Sequence, residues 1–455
     1  MTKKFHIWTS GCQMNVHDSE KIAGIFSENG LQHTGEVKDA GVIVLNTCSI
    51  REKAEQKFYS ELGRLKTLKK NNPDLKIAVA GCIAQQKGKK LFKRFPYVDF
   101  VFGPDNIDSV QQWIETPDVG RRALDNGQRI ISVPLSHDAR RTTCVQDNPE
   151  YHTKILPMKR EGRVRAWVSI MYGCDNFCAY CVVPYTRGRE RSRPVEDICH
   201  EVRSLSQQGY KEVTLLGQNV NSYGKNLNKS CDFTCLLENI HEIDGIERIR
   251  FVTSHPRDLS EKLIDTIRDL SKLCEHLHLP IQSGSDKILE MMNRGYTFAE
   301  YRKKIDRLRN SVPDIAVTTD IITGFPGETD ADFEMTMNAL SEIKYDGIFA
   351  FKYSKRPDTR ALDLPDHVDE LTKSRRLSRI LKVQESITFK INKSLEGKAF
   401  NILVEGTSET DNTKLTGRSR TNKIVNFCGN EKDIGQIVSI KILEAKMHSL
   451  FGEKV

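Results

Sequence analysis

Among the 455 residues no apolar run reaches the roughly 18 that a membrane-spanning helix needs. The first residues, MTKKFHIWTSGCQMN, carry no apolar signal-peptide core, so a cytoplasmic protein is expected. There is no H-E-x-x-H, no G-x-S-x-G and no P-loop lysine motif, which removes the zincin, serine-hydrolase and P-loop classes. No internal repeat of solenoid length and no low-complexity tract is present. What remains is ordinary globular composition. Hydrophobic residues make up 38%, enough for real cores, and the length suggests about three domains. The formal charge of +8 is a modest bias towards an anionic partner.

The 12 cysteines are the informative feature. In a reducing compartment disulfides are not expected, which raises ligand or catalytic roles. Three of them fall in YGCDNFCAYC, with the spacing C-x3-C-x2-C. Here too something is missing. A structural zinc site takes four protein ligands, and no fourth cysteine or histidine stands nearby. A zinc knuckle with a remote fourth ligand is one alternative. Three soft thiolates suit an iron–sulfur cluster better, a 4Fe–4S cluster with one iron left open for an exogenous ligand.

The first ~120 residues alternate strand and helix patterns. KFHIW, VIVLN, KIAVA and VDFVF read as strands; DSEKIAGIFSENG reads as a capped helix ending at Gly30, and further helices follow the other strands. This order predicts an open parallel α/β domain over 1–120. Cys12, Cys48 and Cys82, 36 and 34 residues apart, each stand just past the carboxyl end of a strand. That edge of an open sheet is where ligands bind, so the three are expected to converge. The plainer alternative is three unrelated buried thiols.

Residues 121–164 read as a basic linker with Pro134, Pro149 and Pro157 and no sustained periodicity. From 165 to 393 the alternation resumes. VRAWVSIM, VTLLG, RIRFVTS, HLHLPIQ, VTTDIIT and IFAFKYS are strand candidates separated by helical patterns. Six βα units predict a partial (β/α)6 barrel. The three-cysteine loop follows its first strand, at the face where barrel active sites are built. Residues 394–455 read as a small all-β barrel with four strands, KAFNILVEG, KLTGRS, KIVNFCG and IVSIKILEA.

The cysteine loop, placed after the first barrel strand, resembles the radical S-adenosylmethionine (SAM) superfamily. TSGCQMNVHDSE, LNTCSIREKAEQK, VAGCIAQ, YGCDNFCAYCVVPYTRGRERSR, LLGQNVNSYG, TSHPRDL, HLPIQSGSDKILEMMNRGYT and DIITGFPGET, in that order, resemble the methylthiotransferase family. The last segment resembles the TRAM domain, an RNA-binding β-barrel. PYTRGRERSR and LLGQNVNSYG are most similar to the branch acting on isopentenylated adenosine in tRNA.

The resemblance implies a specific chemistry. Cys174, Cys178 and Cys181 would hold the cluster that cleaves SAM to methionine and a 5′-deoxyadenosyl radical. Cys12, Cys48 and Cys82 would hold a second, auxiliary 4Fe–4S cluster carrying the sulfur to be inserted. One SAM would supply the methyl group and another the radical that takes hydrogen from C2 of N6-isopentenyl (dimethylallyl) adenosine 37. No side chain is implied as acid or base, because the cofactors carry the hard step. Sister readings are methylthiolation of threonylcarbamoyladenosine in tRNA or of an aspartate in a ribosomal protein. A different class is a non-catalytic RNA-binding or electron-transfer iron–sulfur protein, which has no need of an open iron.

Further residues follow from the same resemblance. Tyr180 would lie against the adenine of SAM. Gly217, Gln218, Asn219, Gln282, Ser283, Gly324 and Gly327 would contact SAM; the glycines could equally be strand-to-helix turns. Arg187, Arg189, Arg191 and Arg193 at the site mouth, and Arg418, Arg420 and Lys423 on the small barrel, would bind tRNA. One or two arginines of the loop could instead bind the SAM carboxylate or pair with acids such as Glu190. Cys144, Cys199, Cys231, Cys235, Cys274 and Cys428 are read as core or surface thiols. The implied partners are the tRNA anticodon stem-loop, an electron donor such as flavodoxin or ferredoxin, and sulfur- or cluster-assembly proteins. A monomer away from any membrane is expected.

Overall fold

The computed structural model describes residues 3–49, 52–115, 130–132, 156–160, 162–227 and 231–455. Pro134, Pro149 and Cys144 lie outside the described residues. The chain divides into two compact units. The first comprises 1–161, 172–175 and 181–191; the second comprises 162–171, 176–180 and 192–455. The three-cysteine loop is therefore shared: Cys174 and Cys181 belong to the first unit and Cys178 to the second. The small C-terminal barrel groups with the second unit. Among the described residues no helix is long and apolar enough to cross a membrane.

In the first unit the strands are β1 (Lys4–Ser10), β2 (Gln32–His33), β3 (Val42–Thr47), β4 (Lys76–Ala80), β5 (Phe100–Phe102) and β6 (Ile130–Ser132). They form one parallel sheet in the order β2-β1-β3-β4-β5-β6. Its helices are α1 (Gln13–Glu28), α2 (Glu52–Asn71), α3 (Cys82–Lys87), α4 (Lys89–Arg94), α5 (Ser109–Glu115) and α6 (Val183–Arg187). Strand alternation divides the apolar residues between the two faces. Val42 and Val44 pack with Phe26 and Trp113, whereas Ile43 and Leu45 pack with Phe58 and Leu62. Two expectations are corrected here. The helix expected from Asp18 starts at Gln13, with Cys12 as its N-cap, so Asp18 sits inside α1 and is buried. The supposed linker contributes β6, the sixth strand, beside β5; a three-residue edge strand has too little length to show alternation.

Two short strands, β8 (Met171–Tyr172) and β9 (Arg191–Ser192), flank the cysteine loop, and β7 (Arg165–Ser169) precedes it. In the second unit β7 is followed by α7 (Val195–Gln207), β10 (Glu212–Leu216), α8 (Phe233–His241), β11 (Arg248–Phe251), α9 (Glu261–Asp269) and β12 (His276–His278). Then come α10 (Asp286–Met291), α11 (Phe298–Ser311), β13 (Ala316–Thr323), α12 (Asp330–Ile343), β14 (Gly347–Lys352) and the long α13 (Glu370–Lys393). Two parallel three-stranded sheets, β7-β10-β11 and β12-β13-β14, are joined by a bridge from Ile249 to Leu273. This is the expected partial (β/α)6 barrel. Helix starts are marked as the sequence suggests: Thr297 and Thr329 form capping boxes, and Asp369 caps α13.

The last strands, β15 (Ala399–Thr407), β16 (Leu415–Arg418), β17 (Ile424–Phe427), β18 (Ile437–Ala445) and β19 (Leu450–Lys454), close a five-stranded barrel. The fifth, β19, was not expected. It is short and half-polar, and it completes the closure by pairing parallel to β17. This barrel is held to the amino ends of the β7–β14 strands. Arg248 donates to the Arg418 and Asn401 carbonyls at 2.7 and 2.8 Å. Arg250 donates to the Ser419 and Arg420 carbonyls at 2.7 and 2.8 Å and pairs with Glu212 at 2.9 Å.

The expectation of free thiols throughout is corrected at one place. Cys231 and Cys235 are joined by a disulfide. Cys231 precedes the N-cap Asp232, and Cys235 is the residue whose N–H that cap receives, so the helix start brings the two sulfurs together. Cys199, Cys274 and Cys428 are free.

Candidate functional site

Three loops at the carboxyl edge of the first sheet bring Cys12, Cys48 and Cys82 together. Cys48 Sγ lies between the other two and hydrogen-bonds with both. Cys12 caps α1 and Cys82 opens α3; helix starts favour the thiolate. The close approach depends on two glycines. A Cβ on Gly11 (φ +139°) would lie 2.5 Å from Cys48 Cβ, and one on Gly81 (φ +84°) would meet the Asn46 amide and the Thr47 carbonyl. Beneath the thiols, Cys12 Sγ contacts Asn15 Oδ1 at 3.2 Å. Asn15 donates to Asn46 at 3.1 Å, and Asn46 donates back to the Asn15 carbonyl at 2.8 Å and to Ser19 Oγ at 2.9 Å. Both asparagines are buried, so this polar network is costly to disturb.

Arg187, at the end of α6, is buried against this trio. Its guanidinium donates to Asp18 Oδ2 at 2.8 Å and hydrogen-bonds with Cys82. The hydrogen bond from Cys48, assisted by the Arg187 charge, brings Cys12 down to about 6 against the cost of burial. The same two causes bring Cys82 to about 7. Cys48, hydrogen-bonded with both neighbours and fully buried, is pushed up. Three thiols within hydrogen-bonding reach, two of them with lowered pKa, are the soft donor set that iron–sulfur clusters take. Among the described residues no three His, Cys, Asp or Glu side chains converge as a single metal ion requires. Each iron of a cluster takes its own thiolate, so thiols standing side by side fit a cluster.

The second trio is local. Cys174 is buried, and its N–H donates to the Gly188 carbonyl at 3.2 Å. In the second unit Cys178 accepts from Arg294 Nη1 at 3.3 Å. Arg294 also donates to Tyr180 Oη at 3.4 Å, Tyr296 Oη at 3.1 Å and the Pro280 carbonyl at 2.9 Å. It is 4% exposed, and no carboxylate is among these partners. Arg294 lies in the quoted segment MMNRGYT, yet nothing in its spacing marks it as a partner of Cys178.

At the carboxyl ends of β10, β11 and β12 several buried polar atoms have no partner among the described residues: Gln218 Oε1, Asn219 Oδ1, Ser254 Oγ, His255 Nε2 and Gln282 Oε1. Unpaired buried groups are rare and call for a ligand. His255 accepts from the Arg257 N–H on Nδ1 at 3.2 Å, which places its proton on Nε2. Burial, and then the nearby cations Arg294, Arg257, Lys225 and Lys304, hold this imidazole neutral. Thr253 and Gln282 both adopt positive φ, 69° and 71°, a strain that accompanies functional sites. This constellation fits the polar groups of SAM. Ser254 and His255 were not anticipated, although both lie in the quoted TSHPRDL.

Other expected residues have structural occupations. Ser283 is buried, with its hydroxyl 3.3 Å from Thr336 Oγ1. A Cβ on Gly217 would strike Met171 at 2.6 Å. Gly324 and Gly327, at φ +73° and +78°, shape a turn locked by Glu328, which accepts from the Gly324 N–H at 2.7 Å and from Arg376 at 2.6 Å.

The basic residues expected to meet tRNA all have acidic partners. Arg187 has no surface to offer RNA, since its side chain is 4% exposed. Arg191 pairs with Asp105 at 3.1 Å and Arg193 with Glu201 at 2.8 Å. Arg418 pairs with Glu405, Arg420 with Glu275 and Lys423 with Asp346, at 3.1, 2.6 and 3.0 Å. Glu275 and Asp346 belong to the partial barrel, so Arg420 and Lys423 serve docking. Arg189 is the most exposed of the set, 54%, and pairs with Asp175 at 2.8 Å.

Comparison with known proteins agrees with this geometry. Residues 4–103 match the Uncharacterized protein family UPF0004, residues 168–340 the Radical SAM superfamily and residues 393–455 the TRAM domain. Among solved structures, a radical S-adenosylmethionine methyltransferase, TsrM, from Kitasatospora setae aligns with a TM-score of 0.55 at 13% identity, covering 80% of this chain and 74% of that one. That likeness concerns the fold alone. A tRNA-2-methylthio-N(6)-dimethylallyladenosine synthase from Thermodesulfovibrio yellowstonii is 51% identical, with 98% of each chain covered. One from Carboxydothermus hydrogenoformans is 49% identical, with 99% of each covered. With near-complete coverage at this identity, the chain belongs to the tRNA-2-methylthio-N(6)-dimethylallyladenosine synthase family of radical SAM proteins.

Proposed function

We propose that this protein is a tRNA methylthiotransferase that converts N6-isopentenyladenosine 37 to its 2-methylthio derivative. The observation that carries the reading is the pair of three-cysteine sets, each of which would leave one iron of a 4Fe–4S cluster open, in a chain 51% identical to a synthase of that name. When bound, the two clusters and SAM supply one-electron chemistry, a methyl group and sulfur. The protein holds these groups. Cys12, Cys48 and Cys82 would ligate the sulfur-carrying cluster, with Arg187 and Asp18 forming a neutral buried pair beside it. Cys174, Cys178 and Cys181 would ligate the other, with Arg294 donating to Cys178. Gln218, Asn219, Ser254, His255 and Gln282 offer SAM its polar contacts, and His255 remains neutral while doing so. A base is not required, because an aromatic C2–H is not removed by ordinary acid–base groups near neutral pH.

The partners that follow are the tRNA anticodon stem-loop, an external electron donor such as flavodoxin or ferredoxin, and a sulfur- or cluster-supplying protein, in the cytoplasm. RNA contact is supported at Arg189, which stays largely exposed. The test is nucleoside mass spectrometry after anaerobic reaction with tRNA carrying or lacking the isopentenyl group. We expect an increment of CH2S only on the isopentenylated nucleoside. Reaction on threonylcarbamoyladenosine instead would overturn the substrate assignment.

A further inference from the structure

Alternation along β12, β13 and β14 sorts their side chains onto two faces. Leu277, Val317 and Ile321 join the core beneath the helices, with Ile348 and Ala350 packed against it. His278, Asp320, Phe349 and Phe351 therefore lie on the opposite face of the sheet. β14 ends this sheet, with no further strand beside it among the described residues. Phe349 and Phe351 are 54% and 36% exposed, unusual for paired aromatic rings on a sheet whose other face packs against the core.

A polar pair adjoins the rings. His278 Nε2 lies 3.4 Å from Asp320 Oδ1 and its Nδ1 lies 3.0 Å from Thr318 Oγ1. The His278 ring meets Phe349 edge-on, with centroids 5.9 Å apart. Register places Asp320 beside Phe349 and Ile322 beside Phe351. Ile322 packs in the small cluster that contains Ala179 and Tyr180 of the cysteine loop, and its neighbour Ile321 bridges to Gln282. The aromatic shelf is thus continuous with the strand ends that carry the unpaired polar atoms. An apolar shelf beside a partly open carboxylate matches a base with one N–H and an attached hydrocarbon.

Resting on the substrate reading above, we propose that this face is the subsite for the modified base: Phe349 and Phe351 take the dimethylallyl group, and Asp320, steadied by His278, accepts the adenine N6–H. A threonylcarbamoyl group would bring its carboxylate against the two rings and the like charge of Asp320, so the same residues discriminate between the two modifications.

The test is the Kd of the reconstituted holoenzyme for an anticodon stem-loop RNA bearing either N6-dimethylallyladenosine or plain adenosine at position 37. We expect the wild type to prefer the alkenylated RNA by roughly tenfold or more, the scale on which hydrophobic pockets discriminate. Phe349→Ala and Phe351→Ala should close most of that gap with little change towards plain RNA. Phe349→Leu, which keeps apolar bulk, should retain most of it. Asp320→Ala should weaken both RNAs alike. Iron content and melting temperature, unchanged in each variant, separate these effects from misfolding. A wild-type preference that survives both alanine substitutions overturns the proposal alone. A wild type without preference overturns the substrate reading, and the proposal with it.

Discussion

One cysteine trio is gathered from three loops 36 and 34 residues apart, while the other fits within eight consecutive residues. The dispersed trio relies on the βα repeat: each strand delivers one thiol to the same edge, and Gly11 and Gly81 let the loops touch. The compact trio needs only a loop. The electrostatic settings differ as well. Arg187 beside the dispersed trio is matched by Asp18 at 2.8 Å, so that pair adds no net charge. Arg294 beside Cys178 is buried and has no carboxylate among its hydrogen-bond partners in the described residues, so its charge is directed at the Cys178 sulfur. A buried cation at a ligating sulfur favours the reduced, more negative state of a cluster. On the proposed assignment, the cluster that accepts an electron would sit beside Arg294, and the one holding sulfur beside the neutral pair.

The sharpest way to break this division is to remove one thiol from each site. Cys174→Ala should abolish 5′-deoxyadenosine formation and product together. Cys48→Ala should leave SAM cleavage in place and stop sulfur insertion, read by chromatography of both products. Methylthiolated tRNA from the Cys48 variant would sink the auxiliary assignment. Next in size, Arg187→Met leaves Asp18 buried without its partner and should cost about 3–5 kcal/mol of stability. The double variant with Asp18→Asn should recover part of that loss in a denaturant melt, whereas additive losses would contradict the neutral-pair account. Arg294→Gln should lower the reduction potential of the loop-held cluster by roughly 60 mV, a tenfold effect for a one-electron couple, and leave the other unmoved; an equal shift at both would deny the asymmetry. Smallest, Arg189→Ala should weaken tRNA binding a few-fold and reduce its salt slope by about one unit.

Much of this was legible before any coordinates. Strand-end placement of Cys12, Cys48 and Cys82 follows from short apolar runs and one-unit spacing. The longer barrel strands, such as β13, and the helices between them carry patterns that show. What escaped was set by tertiary pairing. Nothing local says that Arg420 meets Glu275 or that Lys423 meets Asp346, so basic residues used for docking looked free for RNA. Asp18 resembled a helix cap because Cys12, the residue that caps α1, is an unusual one. Arg294 and His255 sit inside conspicuous motifs, yet their contacts cross from one βα unit to another. Short elements such as β6 and β19 draw their stability from neighbours and leave little trace in composition.

The most direct test of the two-site account is iron and sulfide quantification in the anaerobically purified wild type and in the variant with Cys12, Cys48 and Cys82 all changed to alanine. Two clusters predict about eight irons in the wild type and about four in the variant. About four irons in the wild type, unchanged by the triple substitution, would contradict it.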